Sequence, residues 1–134
     1  MKKVLTVGVF DYFHYGHLKV LEQAKSAGEY LIVAVQDSGT ILKYKPQSAV
    51  LYTTDQRVEM VSALKMVDEV VVYEDVDTIV PQIEFDVLAL GEDQTHSGFK
   101  TAVEWCEANG KKVVRLKRTP NISSTMIKGN LLRK

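Results

Sequence analysis

Two histidines stand three residues apart in His14-Tyr15-Gly16-His17, just beyond an apolar, β-branched run that reaches Val9. The run reads as a strand and the residues from Gly16 onward as a helix, so both imidazoles fall where a strand's carboxyl end meets a helix N-terminus. In open α/β sheets that junction is the usual ligand crevice, and the unpaired N–H groups of the helix favour an anion there. Imidazoles in this place can donate hydrogen bonds to phosphate oxygens. Gly16, without a Cβ, lets a phosphate or nucleobase approach the backbone closely. Other readings fit the same pair. Histidines at i and i+3 share a helix face and can bind zinc, with His96 and Cys106 as the further soft ligands and no short paired spacing among them. Taken singly, each histidine also reads as an ordinary packed residue.

A second cluster lies near the other end of the chain, Arg118-Thr119-Pro120-Asn121-Ile122-Ser123-Ser124-Thr125. It sets a guanidinium before a hydroxyl-rich helix start, where hydroxyls and free N–H groups can hold phosphate oxygens. By itself it also reads as a helix cap. Between the clusters, Gly91-Glu92-Asp93 follows a strand, and Asp93 can accept from a base amino group or a ribose hydroxyl. A plain turn is the alternative there. Lys43 and Lys45 fall in 37–53, the one long stretch without clear period, and such stretches often serve as lids. Alone, the two lysines read as solvated loop charges and Arg57 as an exposed helix residue.

Strands and helices must alternate to bring these residues together. Strands are expected at 3–9, 30–36, 69–73, 86–91 and 112–116, and helices at 16–27, 54–65, 77–83, 98–108 and 123–132. Gly28 is expected to end the first helix in the left-handed conformation, Thr53 or Thr54 to cap the second, Asn109-Gly110 to close the fourth, and Ser123 or Ser124 to cap the last. The alternation defines the α/β class: one Rossmann-like three-layer domain over residues 1–134, with an open, mainly parallel five-stranded sheet. A chain of 134 residues builds one such core. Lys plus Arg match Asp plus Glu at 17 each, so no basic field points to nucleic acid. No apolar stretch approaches the ~20 residues that span a bilayer. The apolar N-terminal run is cut by Asp11 with no small-residue cleavage site after it, and reads as a first strand rather than a signal. The single cysteine, Cys106, leaves no internal disulfide and fits a cytoplasmic setting.

Residues 8–17, GVFDYFHYGH, resemble the G-x-F-D-x-x-H-x-G-H signature of the cytidylyltransferase-like nucleotidyltransferases at all six fixed positions. Residues 118–125 resemble the R-T-x-G-I-S-[ST]-T signature of the CTP-using members, with Asn121 in place of its glycine. Asparagine is the next best residue for positive φ. The resemblance continues through Lys45-Pro46, Thr54 to Arg57, Val67 to Val70 and Leu90 to Asp93. It implies an enzyme that joins CMP from CTP to a phosphorylated small molecule and releases pyrophosphate. Adenylyl transfer from ATP, as in heptose-phosphate adenylyltransferases and archaeal FAD synthetases, is an alternative, and a non-catalytic nucleotide-binding domain is another. The family pattern makes His14, His17, Lys45 and Arg118 the catalytic donors. It places Gly8, Phe10, Gly16, Gly91, Asp93, Arg118, Thr119, Ile122, Ser123, Ser124 and Thr125 around the nucleotide, with Asp11, Lys43 and Arg57 toward the substrates. Lys43 is the rival of Lys45 for the phosphates. The implied chemistry brings Mg²⁺ bound through the triphosphate, with Asp11 a candidate contact. Related small enzymes imply a homodimer.

Overall fold

The computed structural model describes residues 1–47 and 49–118. Its strands are β1 (Lys3–Gly8), β2 (Tyr30–Gln36), β3 (Glu69–Tyr73), β4 (Val87–Gly91) and β5 (Lys112–Leu116). Helices intervene as α1 (Tyr15–Ser26), α2 (Ser38–Tyr44), α3 (Thr54–Ser62), α4 (Val76–Ile79) and α5 (Ser97–Ala108). The strands lie in the order β3-β2-β1-β4-β5, and every pairing is parallel. The chain winds outward from β1 to β3 and then returns to the other flank of β1 as β4. Strand order therefore reverses between β1 and β4, and the switch point lies there.

Helices cover both faces, so the central strands bury both sets of alternating side chains. In β2, residues Leu31 to Val35 are all buried, and in β4 residues Val87 to Leu90 are. One face packs Val4, Leu31, Val33 and Val35 against Leu21 and Ala24 of α1 and Val61 of α3. The other packs Leu5, Val7, Leu88 and Leu90 against Val76 of α4 and Phe99, Ala102 and Cys106 of α5. Burying a side chain of this size contributes about 1.5–3 kcal/mol, and the sheet supplies such positions on both sides.

Several boundaries differ from the sequence expectation for identifiable reasons. The stretch 37–53 holds a helix, α2, capped by the Asp37 carboxylate, which accepts from the N–H groups of Gly39 and Thr40. At seven residues α2 is too short to show a helical period, although Asp37-Ser38-Gly39 carries the cap. The helix expected over 77–83 is a short α4 followed by a 3₁₀ turn, Val80–Gln82. Pro81 explains the break, because it brings no N–H and its ring crowds the preceding turn. α3 ends at Ser62, short of residue 65, and is capped by Thr53 in a reciprocal box with Gln56. Gly28 is not left-handed; α1 ends on Ala27 in a right-handed turn. What glycine supplies there is space, since a Cβ would stand 2.7 Å from the Lys2 carbonyl oxygen. Gly110 does take positive φ, +70°, at the end of α5. The helix expected at 123–132 lies outside the described residues.

Arg57 is the largest fully buried side chain, at 0% exposure. Its Nη1 donates to the Val9 and Gln36 carbonyls at 2.7 Å each, Nη2 donates to Ser38 Oγ at 2.7 Å, and Nε to the Tyr52 carbonyl at 3.3 Å. One guanidinium thus ties the ends of β1 and β2 to the start of α2 and the approach to α3. Arg57→Met removes those donors and strands buried carbonyls, each costing about 1–3 kcal/mol. We expect chemical denaturation to show a loss of at least ~2 kcal/mol; an unchanged midpoint would contradict this role.

Candidate functional site

The chain leaves β1 along a strained path. Phe10 and Tyr12 both adopt left-handed backbone conformations, φ 57° and 50°, which non-glycine residues rarely do. The turn folds the Phe10 ring back over the strand end, where a Cβ on Gly8 would lie 2.9 Å from its Cε2. Gly8 is thus fixed by the ring's close approach. Between the two strained residues, the buried Asp11 accepts from the N–H groups of Leu51 at 2.7 Å and Tyr52 at 3.0 Å. Asp11, expected to face substrate or metal, fastens the segment between α2 and α3. Arg57, expected to bind substrate, spends its donors inside the fold as described above.

The path delivers His14 to the N-cap of α1 and His17 to the third helical position. His14 Nδ1 accepts from the Gly16 N–H at 3.0 Å, and His17 Nδ1 accepts from the His14 N–H at 3.1 Å. This is a capping box built from two imidazoles in place of the usual hydroxyl and carboxylate. Its chemical consequence is specific. Each Nδ1 is an acceptor, so the neutral ring carries its proton on Nε2. The rings stack with centroids 3.9 Å apart, and Phe13 stacks on His17 at 5.1 Å. Burial, then the neighbouring His14, lowers His17 from 6.5 to about 4 against the opposing pull of Asp11. Burial, then Arg118, lowers His14. Both rings are neutral at pH 7, with one N–H each left to offer.

These two residues line a cleft of about 990 Å³ along the carboxyl edge of the sheet. Gly8, Phe10, Asp11, Gly16, Lys45, Gly91, Asp93 and Arg118 line it as well. Lys43 does not: its ammonium lies over the Tyr44 ring, 5.7 Å from the centroid. Arg118 and Asp93, both expected at the nucleotide, face one another across 3.6 Å. That pair is exposed and contributes little to stability, so a phosphate can compete for the guanidinium. The Arg118 N–H donates to Glu92 Oε1 at 2.9 Å. Gln23 brackets Lys117 from α1, accepting its N–H and donating to its carbonyl at 3.0 Å each. Thr119, Ile122, Ser123, Ser124 and Thr125 lie outside the described residues. Among the described residues no trio of His, Cys, Asp or Glu is grouped to hold a metal ion. Cys106 is buried in the core beneath α5.

Two residues that line the cleft were not assigned to it from the sequence, His96, weighed only as a zinc ligand, and Gln94. His96 caps α5 as His14 caps α1, its Nδ1 accepting from the Gly98 N–H at 3.2 Å. The repeated pattern, His-x-Gly at a strand-to-helix junction, was its available signal. Gln94 donates to the Val7 carbonyl at 2.9 Å and accepts the Gly91 N–H at 2.8 Å, bridging β1 and β4 across the switch point. Only the fold brings its partners together.

The Cytidylyltransferase-like family profile matches residues 5–130. The chain belongs to that family. A glycerol-3-phosphate cytidylyltransferase of Bacillus spizizenii is 35% identical to it, covering 98% of both chains. An FAD synthase of Ferroglobus placidus is 43% identical over 70% of this chain and 61% of its own length. In three dimensions, the lipopolysaccharide core biosynthesis protein of Thermoplasma volcanium is similar with a TM-score of 0.76 at 26% identity, covering 89% of this chain and 98% of that one. Within this cytidylyltransferase-like chain, no helix among the described residues is long and apolar enough to cross a membrane.

The lowered His17 has a consequence for stability. Between 6.5 and about 4 the unfolded chain binds a proton that the folded chain refuses, so stability falls as pH falls through that window. His17→Gln keeps an acceptor for the His14 N–H and removes the titration. We expect the melting temperature of the wild type to drop more steeply than that of His17→Gln on acidification from about pH 7 to about pH 4.5. Parallel curves would show that His17 is not held neutral.

Proposed function

We propose that the protein transfers CMP from CTP to a phosphorylated small molecule. An acceptor phosphate oxygen forms a bond to the α-phosphorus, and the bond from that phosphorus to the bridging oxygen breaks, its electron pair leaving with pyrophosphate. The chemistry needs no protein nucleophile. It needs positioned donors that meet charge building on the phosphoryl oxygens. The observation that carries the reading is the donor set sharing one cleft, two neutral imidazoles with Lys45 and Arg118. Neutral imidazoles can stand beside the two cations without repelling them, and each is restricted to donating through Nε2.

Magnesium is assigned to the triphosphate itself, which it binds through phosphate oxygens and water. Asp11, the candidate contact, accepts one backbone N–H at each carboxylate oxygen. CTP is preferred in this reading because Arg118 begins the segment that resembles the signature of CTP-using members. Adenylyl transfer is the second reading, favoured by the similarity to the FAD synthase.

A matrix of the four nucleoside triphosphates against phosphorylated acceptors, read as pyrophosphate release, separates the two. We expect CTP to be used at least about tenfold more efficiently than ATP, or ~1.4 kcal/mol in transition-state stabilisation. Equal or reversed kcat/KM values would move the protein to adenylyl transfer, and silence throughout would leave a binding domain. His17→Ala is expected to lower kcat by ~10²–10³ while nucleotide binding persists. A folded variant with near wild-type kcat would remove His17 from catalysis.

A further inference from the structure

The two strands at the switch point part before they end. β1 stays paired with β2 as far as Gly8 opposite Val35, and β4 stays paired with β5 as far as Gly91 opposite Leu116. Their pairing with each other runs only from Val4 opposite Val87 to Thr6 opposite Ala89. At that last position Thr6 Oγ1 donates to the Ala89 carbonyl at 2.8 Å. Beyond it each strand end follows its outer neighbour, and the gap between them opens into the cleft that Val7, Gly8, Gly91 and Gln94 line.

Gln94 occupies this gap. In a parallel ladder of the same register the next bond would run from the Gly91 N–H to the Val7 carbonyl. Those are the two groups that the Gln94 side chain takes: Oε1 accepts from Gly91 at 2.8 Å, and Nε2 donates to Val7 at 2.9 Å. The amide is thus inserted where one backbone hydrogen bond would stand, and neither backbone group is left without a partner. Its orientation is fixed by chemistry, since a turned amide would set oxygen against oxygen and N–H against N–H. The turn that carries Gln94 is itself held. The Gln94 N–H donates to the Gly91 carbonyl at 3.2 Å, and Arg115 Nη1 donates to the Gln94 and Gly91 carbonyls at 3.0 and 3.2 Å.

We propose that Gln94 is a positioning residue for the nucleotide. Its amide keeps the ends of β1 and β4 one amide group further apart than a direct backbone bond of about 2.9 Å would, and so sets the width of the crevice that a nucleoside triphosphate enters. The inference rests on the transfer reading, which places the triphosphate in this cleft. Gly8 and Phe10 on one side of the gap, and Gly91 and Asp93 on the other, line that cleft, and their separation follows the wedge. A side chain without the amide leaves the Gly91 N–H free to meet the Val7 carbonyl directly. The ladder then extends and both backbone groups stay satisfied, so what is lost is the width of the crevice rather than the fold.

Two variants test the wedge. Gln94→Ala removes it. Gln94→Glu changes with pH, because an ionised carboxylate accepts from Gly91 but opposes the Val7 carbonyl, whereas the protonated acid accepts and donates as the amide does. Each of the four nucleoside triphosphates is titrated calorimetrically into the protein without acceptor, at steps from about pH 8 to about pH 5. We expect Gln94→Ala to bind the wild type's preferred triphosphate at least about tenfold more weakly at every pH, with an unchanged far-UV circular dichroism spectrum. Gln94→Glu should share that deficit at about pH 8 and, relative to the wild type at the same pH, recover most of it by about pH 5. A loss of fold alone would not be reversed by a proton. In ligand-free Gln94→Ala, a scalar coupling across the new hydrogen bond should join the Gly91 N–H to the Val7 carbonyl, and the wild type should lack it. Wild-type affinity in both variants, or a Gln94→Glu deficit that does not change with pH, would overturn the positioning role and leave the transfer reading standing. A wild type that binds none of the four triphosphates would overturn both.

Discussion

The reciprocal pair of hydrogen bonds across the first turn of α1 is the constraint on which the site depends. By giving both Nδ1 atoms to backbone N–H groups, His14 and His17 cap the helix and leave each ring a single N–H, on Nε2. Burial, with Arg118 acting on His14 and His14 on His17, then keeps both neutral. A serine or aspartate would cap the helix as well, but would not hold a donor at its far side. The imidazole, with two nitrogens on opposite edges, can do both at once.

That turn does not hold itself. Two departures into the left-handed region, at Phe10 and Tyr12, lead into it, and each costs free energy that the surroundings must offset. Arg57 grips the Val9 carbonyl on one side of this path, and Asp11 grips the backbone of Leu51 and Tyr52 on the other. Family-pattern reasoning set both residues toward substrate. Arg57 spends its donors one layer below, while Asp11, which also lines the cleft, helps to hold the strained turn and the approach to α3 in register. The cleft therefore sets the imidazole pair beside a wall from α2 and α4 that carries Tyr44 and Asp75.

The strands were legible because β2 and β4 are short, continuous apolar runs, the mark of strands buried on both faces. The histidine junction was legible because its spacing is a motif. Other features depended on distance in three dimensions. Arg57 looked exposed because its helix stripe, Val58 and Val61, falls on neighbouring positions, and nothing local announces the carbonyls it reaches. α2 was hidden by its length. Asp75 fell between the strand expected at 69–73 and the helix expected at 77–83, and its meeting with Tyr44 appears only in the folded chain. His96 was within reach of the sequence, since His-x-Gly recurs at the second strand-to-helix junction.

With three histidines in the chain, the protonation of each ring nitrogen can be read directly from long-range ¹H–¹⁵N correlations of the imidazoles. The account predicts that at neutral pH His14 and His17 are both neutral, with Nδ1 unprotonated and Nε2 carrying the proton, and that His17 keeps this state well below the pH at which a free imidazole titrates. An imidazolium at either position near pH 7, or a proton on Nδ1, would contradict it, because the capping box could not then form and the cleft would lose its fixed pair of neutral donors.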